Sequence, residues 1–469
     1  MKRYYIIIIC LLLLDGMIYF FCFGNKKNKN ENQLVYSDLP EIKEAGQLII
    51  LTLFSSVSYF IYKGEELGYE YELIRSFAES QNLKLNIKIA ENENRLLQML
   101  QAGEGDIVVY NIPITNRNKE NFIFCGREVI NRQVLIQRAN AKDTILTDVT
   151  QLLGKDVWVI DKTKYYNRLV NLNDELGGGI NIKDIEKDTV SVEDLIAMVS
   201  TGEIPYTLSD EDIAKLNRTY YSNINAKLAV SHPQRSSWVV NKASPQLAKA
   251  LYEWFVNNKN TPRYRAIMKK YFEMSKMPGE APAPILGNGK ISIYDDIFKK
   301  YASQIGWDWK LLASIAYQES KFKLSETSWA GAVGLMGLMP STAQTFGITI
   351  EERELPEPSV KAGVDLIKAL QRSFSKIENK DQQIKFILAA YNAGSAHIYD
   401  AQALAKKHGK NPYLWDEHVV ECLKWKRLPE YYNDSVCKFG YFRGTETLNY
   451  VRHVIDRWEY YKEKIDSEP

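Results

Sequence analysis

At 469 residues the chain exceeds a single average core and calls for two or three domains. Sixty Lys and Arg against 58 Asp and Glu leave a net charge of +2 without a basic block, which excludes a polyanion-binding protein and predicts no nucleic-acid partner. Five cysteines without a C-x-x-C pair and five histidines without H-E-x-x-H exclude the commoner zinc and dithiol motifs, so neither metal nor cofactor is predicted.

In residues 1–24, Lys2 and Arg3 precede an apolar run from Ile6 to Phe23 broken by Asp15. Such a segment carries export information rather than fold. Its length fits both a signal-peptide core and a minimal bilayer span, so a cleaved signal and a retained anchor both stand. Cys22 follows Phe21, whereas lipidation calls for a small residue before the cysteine. Residues 25–43 form a polar spacer. Cys422 and Cys437 either pair in an oxidising envelope or remain buried thiols beside Cys125.

Residues 44–273 alternate short apolar runs with amphipathic segments. Leu48 to Phe54, Lys84 to Ile89, Asp106 to Tyr110 and Asp156 to Ile160 read as strands, with YEYELIRSFAES and ENRLLQML as helices between them. This is a βαβ pattern, hence an α/β domain. Ser191 with Asp194 is a capping box opening a helix that carries Leu195, Ile196 and Val199.

Residues 274–289 hold three prolines and three glycines and read as an interdomain linker. In residues 290–469 strands give way to helical stripes, first Tyr294, Ile297, Phe298, Tyr301 and Ile305, then VDLIKALQRSF and QIKFILAAY. The C-terminal domain is therefore mainly α.

Within it, Asp308 is placed to cap WKLLASIAYQES after Gly306 ends the preceding helix. Positions three, four, seven and eight before Glu319 are Ala316, Ile315, Leu312 and Leu311, which puts a carboxyl group on the packed side of that helix. Desolvation disfavours an ionised carboxylate, the condition a general acid near neutral pH requires. A structural Glu at the rim of the stripe, paired with a Lys or a helix end, is the competing reading. GAVGLMGLMP follows, with Gly331, Gly334 and Gly337 in seven residues, a spacing suited to a loop lining a ligand.

These residues resemble the soluble-lytic-transglycosylase family, whose fold is helical and similar to goose-type lysozyme. E-S-x-F at Glu319 and S-x-x-G-A-x-G-L-M-x-L-M-P from Ser328 look like its first two motifs, AAYNAGSAHI from Ala389 its third and ETLNYV from Glu446 its fourth. The resemblance implies Glu319 as catalytic acid and base, with Ser328, Met336, Met339, Tyr391, Asn392 and Tyr450 around the substrate. Gly337 stands where the family commonly has Gln. Glu326 falls in the loop and Glu446 opens the last motif, so no second carboxylate has a claim. The resemblance implies instead that Glu319 protonates the bond between N-acetylmuramic acid and N-acetylglucosamine. It then takes the proton of the muramyl C6 hydroxyl, leaving a 1,6-anhydromuramyl end. Trp329, beside the glycine loop, is a candidate for stacking on a sugar.

The first domain resembles the two-lobed periplasmic amino-acid-binding proteins, with crossings near Val134 to Arg138 and Leu228 to Val239. By that resemblance Arg117 would grip a ligand carboxylate and Asp210 its amino group. A surface Arg and a helix cap are the competing readings. Together the domains imply an exported, periplasmic, outer-membrane-associated lyase acting on peptidoglycan and regulated by a muropeptide or stem-peptide ligand. A hydrolytic lysozyme-type muramidase and a non-catalytic wall-binding receptor are the alternatives.

Overall fold

The computed structural model describes residues 36–140, 142–186, 190–276 and 289–466. The leader, most of the spacer and most of the linker lie outside the described residues. Among the described residues no helix is long and apolar enough to cross a membrane.

Among the described residues the α/β domain holds twelve strands: β1 (Gln47–Leu53), β2 (Phe60–Tyr62), β3 (Glu65–Leu67), β4 (Lys84–Ala90), β5 (Ile107–Pro113), β6 (Phe122–Asn131), β7 (Gln133–Arg138), β8 (Asp156–Ile160), β9 (Asn181–Ile185), β10 (Tyr206–Asp210), β11 (Ile224–Asn225) and β12 (Gln234–Asn241). Two five-stranded sheets form its lobes, one ordered β4-β1-β5-β12-β6 and the other β11-β7-β10-β8-β9. β1 runs parallel to β4 and β5, while the returning β12 lies antiparallel between β5 and β6. The chain leaves the first lobe after β6 and re-enters it at β12, so two crossings join the lobes. The capping box at Ser191 and Asp194 forms and opens the helix Val192–Thr201.

The C-terminal domain is helical. Trp309–Ser320 packs against Gly444–Asp466, which in turn meets Lys380–Ala393. Fully buried Leu312, Ile315, Ala316, Leu388 and Val454 belong to its core. The two domains share apolar contact: Trp329, Ala330, Ala332 and Met339 are buried together with the first lobe's Tyr59, Tyr62 and Tyr271. Cys422 and Cys437 are free thiols, so the pairing reading does not hold.

Candidate active site

Asp308 accepts the Lys310 N–H at 3.0 Å and starts the helix Trp309–Ser320. Lys321 and Phe322 end it in the left-handed region, at φ 51° and 62°. Leu311, Leu312, Ile315 and Ala316 are fully buried, so Glu319 on the same face is carried to the edge of the core, its side chain 7% exposed. The glycine loop runs beside that carboxylate. At Gly337, φ is 57° and a Cβ would stand 2.1 Å from Oε2 of Glu319, so only a residue without a side chain fits there as the two groups stand. The buried Arg353 guanidinium donates to the carbonyls of Leu338 (2.9 Å) and Gly331 (3.2 Å), and the Tyr391 hydroxyl donates to Met336 O (2.7 Å). The loop is thus held by main-chain acceptors, and its own side chains are free to pack.

Tyr391 and Tyr450 face Glu319 from the other side. Burial first, and the Glu319 charge second, push both hydroxyls well above the ordinary tyrosine value. Asn392 is buried and accepts the Thr447 hydroxyl at 2.6 Å. Ser328 closes the base of the loop, its Oγ accepting the Ala332 N–H at 3.0 Å. The methionines depart from the expectation that they contact substrate. Met336 is fully buried against Gly363 in the helical core, and Met339 packs with the first lobe.

Against Glu319 lies a part of the first domain that the sequence did not single out. β2 and β3 form a hairpin whose turn residues, Lys63 and Gly64, have φ of 52° and 79°, the left-handed pair that a two-residue hairpin turn requires. Its tip enters the site. Lys63 Nζ lies 3.1 and 3.4 Å from the two oxygens of Glu319, with only 9% of its side chain exposed. The Lys63 N–H donates to Ala393 O at 3.0 Å, His397 Nε2 meets Ile61 O at 2.9 Å, and the Tyr62 hydroxyl donates to Glu446 at 3.0 Å. Burial raises the carboxyl pKa of Glu446. Trp329 is covered, with the Tyr62 ring 5.3 Å and the Lys276 ammonium 4.9 Å from its ring.

A cavity of about 260 Å³ lies between the lobes of the first domain. Ser58, Glu70 and Tyr110 line it from one lobe, Lys164 and Asp210 from the other, and Arg427 from the helical domain. Glu70 is buried, which pushes its carboxyl up to about 7 against hydrogen bonds from Ser58 and Trp238. Asp210 stands at a helix start but makes no cap hydrogen bond, and it is ion-paired with Lys164 across the cavity wall. Arg117 is a correction: it sits exposed on the short helix Asn116–Asn121 and does not line the cavity. Thr115 caps that helix, its hydroxyl accepting the Asn118 N–H.

The second lobe also holds the helical domain. Asp194 is ion-paired with Arg427, and Glu193 accepts the Tyr441 hydroxyl at 2.5 Å. The first lobe therefore touches the helical domain through the hairpin and the second through a helix start. Lys63, Tyr62 and His397 were not singled out by the sequence reading, which named Glu446 only to set it aside as a second carboxylate. The lysine-glycine turn was the one signal available, and such a turn looks the same on any surface.

Residues 296–414 match the Transglycosylase SLT domain, and residues 52–274 match the Bacterial extracellular solute-binding proteins, family 3. Among curated proteins the chain is similar to membrane-bound lytic murein transglycosylase F of Desulfosudis oleivorans, 29% identical over 91% of this chain and 92% of that one. The protein of the same name from Pseudomonas fluorescens is 28% identical over 89% of this chain and 85% of its own length. Among solved structures, substrate binding domain 2 of Lactococcus lactis GlnP covers 49% of this chain and 96% of itself, at 18% identity and a TM-score of 0.41.

Proposed function

We infer, from the joining of a transglycosylase domain to a solute-binding domain in one chain, that the protein is a peptidoglycan lytic transglycosylase. Glu319 is the acid that cuts the β-1,4 bond between N-acetylmuramic acid and N-acetylglucosamine. It gives its proton to the linking oxygen as the bond to C1 breaks, and the substrate's own acetamido oxygen shelters C1. The resulting carboxylate then takes the proton of the muramyl C6 hydroxyl as that oxygen closes on C1, so no water is consumed. The observation carrying this reading is a carboxyl group on an apolar helix face, 7% exposed, between a glycine loop and two buried tyrosines.

The docked hairpin supports regulation by the first domain. Both oxygens of Glu319 are taken up by the Lys63 ammonium, and the hairpin lies where a glycan strand would pass. The cavity between the lobes is read as the site of a muropeptide or stem-peptide ligand, whose closure of the lobes would draw the hairpin away. The basic and apolar leader supports export to the periplasmic side of the envelope, where we place the protein at the outer membrane, and the relatives' name, membrane-bound, supports association with a membrane.

Glu446 gives the hydrolytic reading its one support, since it is a second buried carboxyl group joined to the site through Tyr62. Digestion of purified sacculi followed by mass spectrometry tests the assignment. Anhydromuramyl ends are expected; reducing ends would establish a hydrolase, and intact sacculi a binding protein.

A further inference from the structure

We propose that His397 binds substrate: its Nε2–H and the Ala393 carbonyl form a subsite for secondary amides of peptidoglycan, and the hairpin fills that subsite when docked. The proposal rests on the transglycosylase reading above.

His397 is fully buried in the helix Ser395–Lys407, its ring stacked on Phe442 with centroids 4.3 Å apart. Nδ1 lies 3.0 Å from the ammonium of Lys426, which is itself fully buried and ion-paired with Asp400. An ammonium only donates, so Nδ1 is the acceptor and the ring proton sits on Nε2. Burial and the Lys426 charge hold the imidazole well below its ordinary pKa, hence neutral. Asp400 is fixed in turn by the N–H groups of Lys438 and Phe439, both at 2.9 Å. The whole chain of partners ends in one donor aimed out of the domain, at Ile61 O.

Two residues further along the hairpin, the Lys63 N–H satisfies the Ala393 carbonyl at 3.0 Å. Withdrawal of the hairpin leaves an N–H and a C=O from adjoining turns facing the groove of Glu319. A buried ion pair behind a neutral imidazole is a costly scaffold, and what it secures is the tautomer and direction of a single donor. The hairpin meets them with two different peptide groups, the Ile61 C=O and the Lys63 N–H on either side of Tyr62, so each is filled by its own amide. Peptidoglycan carries that group in two places, the acetamido substituents of its sugars and the peptide bonds of its stems.

The test uses the full chain carrying Lys63→Glu, which repels Glu319 and keeps the hairpin out. In that background His397→Leu and His397→Gln are compared on peptide-free glycan strands and on stem-bearing strands. His397→Leu is expected to raise KM roughly tenfold with kcat within about twofold, the size of one unmade hydrogen bond. His397→Gln, which keeps a donor near the Nε2 position, is expected to restore KM to within about threefold. A KM effect on both substrates assigns the acetamido group, and one confined to stem-bearing strands assigns the peptide. Unchanged KM on both, or a Gln variant no better than Leu, overturns the subsite. Absence of any product from the Lys63→Glu parent would instead overturn the transglycosylase reading, and the subsite with it.

Discussion

The ammonium of Lys63 and the carboxylate of Glu319 lie 3.1 Å apart although 256 positions separate them in the chain. They come from different domains, and each is nearly excluded from solvent. The acid of one domain is therefore ion-paired with the turn of the other, and we read the docked hairpin as an off state.

Lys63→Ala should raise the basal rate of anhydromuropeptide release. Losing roughly 1.4 kcal/mol of docking energy increases a minor open population about tenfold. Release from sacculi, followed by chromatography without added ligand, gives the comparison. A rate at or below that of the unaltered protein would contradict the off-state assignment.

Glu319→Gln should lower lytic activity by about a thousandfold or more, within the range of a lost general acid. The hairpin can undock to hydrate the unpaired Lys63, which limits any loss of stability to the docking energy. Thermal unfolding checks that the variant folds, and substantial residual cleavage would defeat the role of Glu319.

Gly337→Ala puts a methyl group where the Glu319 carboxylate now lies, at a positive φ that disfavours any side chain. Strain of about 1 kcal/mol should appear in the unfolding midpoint. Displacement of the acid should lower kcat at least tenfold with KM little changed. A fully active variant would show that the carboxylate works elsewhere than beside the loop.

Glu70 sets a pH dependence. Its carboxyl is raised from 4.5 to about 7 in the folded chain by burial, so between those values the unfolded state ionises while the folded state keeps the proton. Stability from this group is full below about 4.5 and falls as pH rises to about 7, by about 3 kcal/mol. Glu70→Gln should therefore stabilise the first domain at pH 8 and change little at pH 5. Unfolding midpoints across that range provide the measurement, and parallel curves for the two proteins would refute the shift.

Periodicity and local chemistry carried much of this protein in its sequence. The strands at Leu48, Lys84 and Asp156, the capping box at Ser191 and the cap at Asp308 depend on neighbours within a few residues, and they form as read. The position of Glu319 on an apolar face follows from the same helical period. Arg117 shows the limit of motif reading, since its exposure is set by where the fold puts the helix Asn116–Asn121 and not by the residue's type. Met336 shows another, because an apolar side chain in a motif still seeks the larger apolar contact.

What the sequence by itself determined was two domains, their fold classes and the helix face that carries the acid, all set by short-range patterning. Only the tertiary structure decided what faces that acid. A lysine in a two-residue turn carries no local mark of its partner, because an ion pair depends on distance in space, and that distance was created by the packing of one domain on the other.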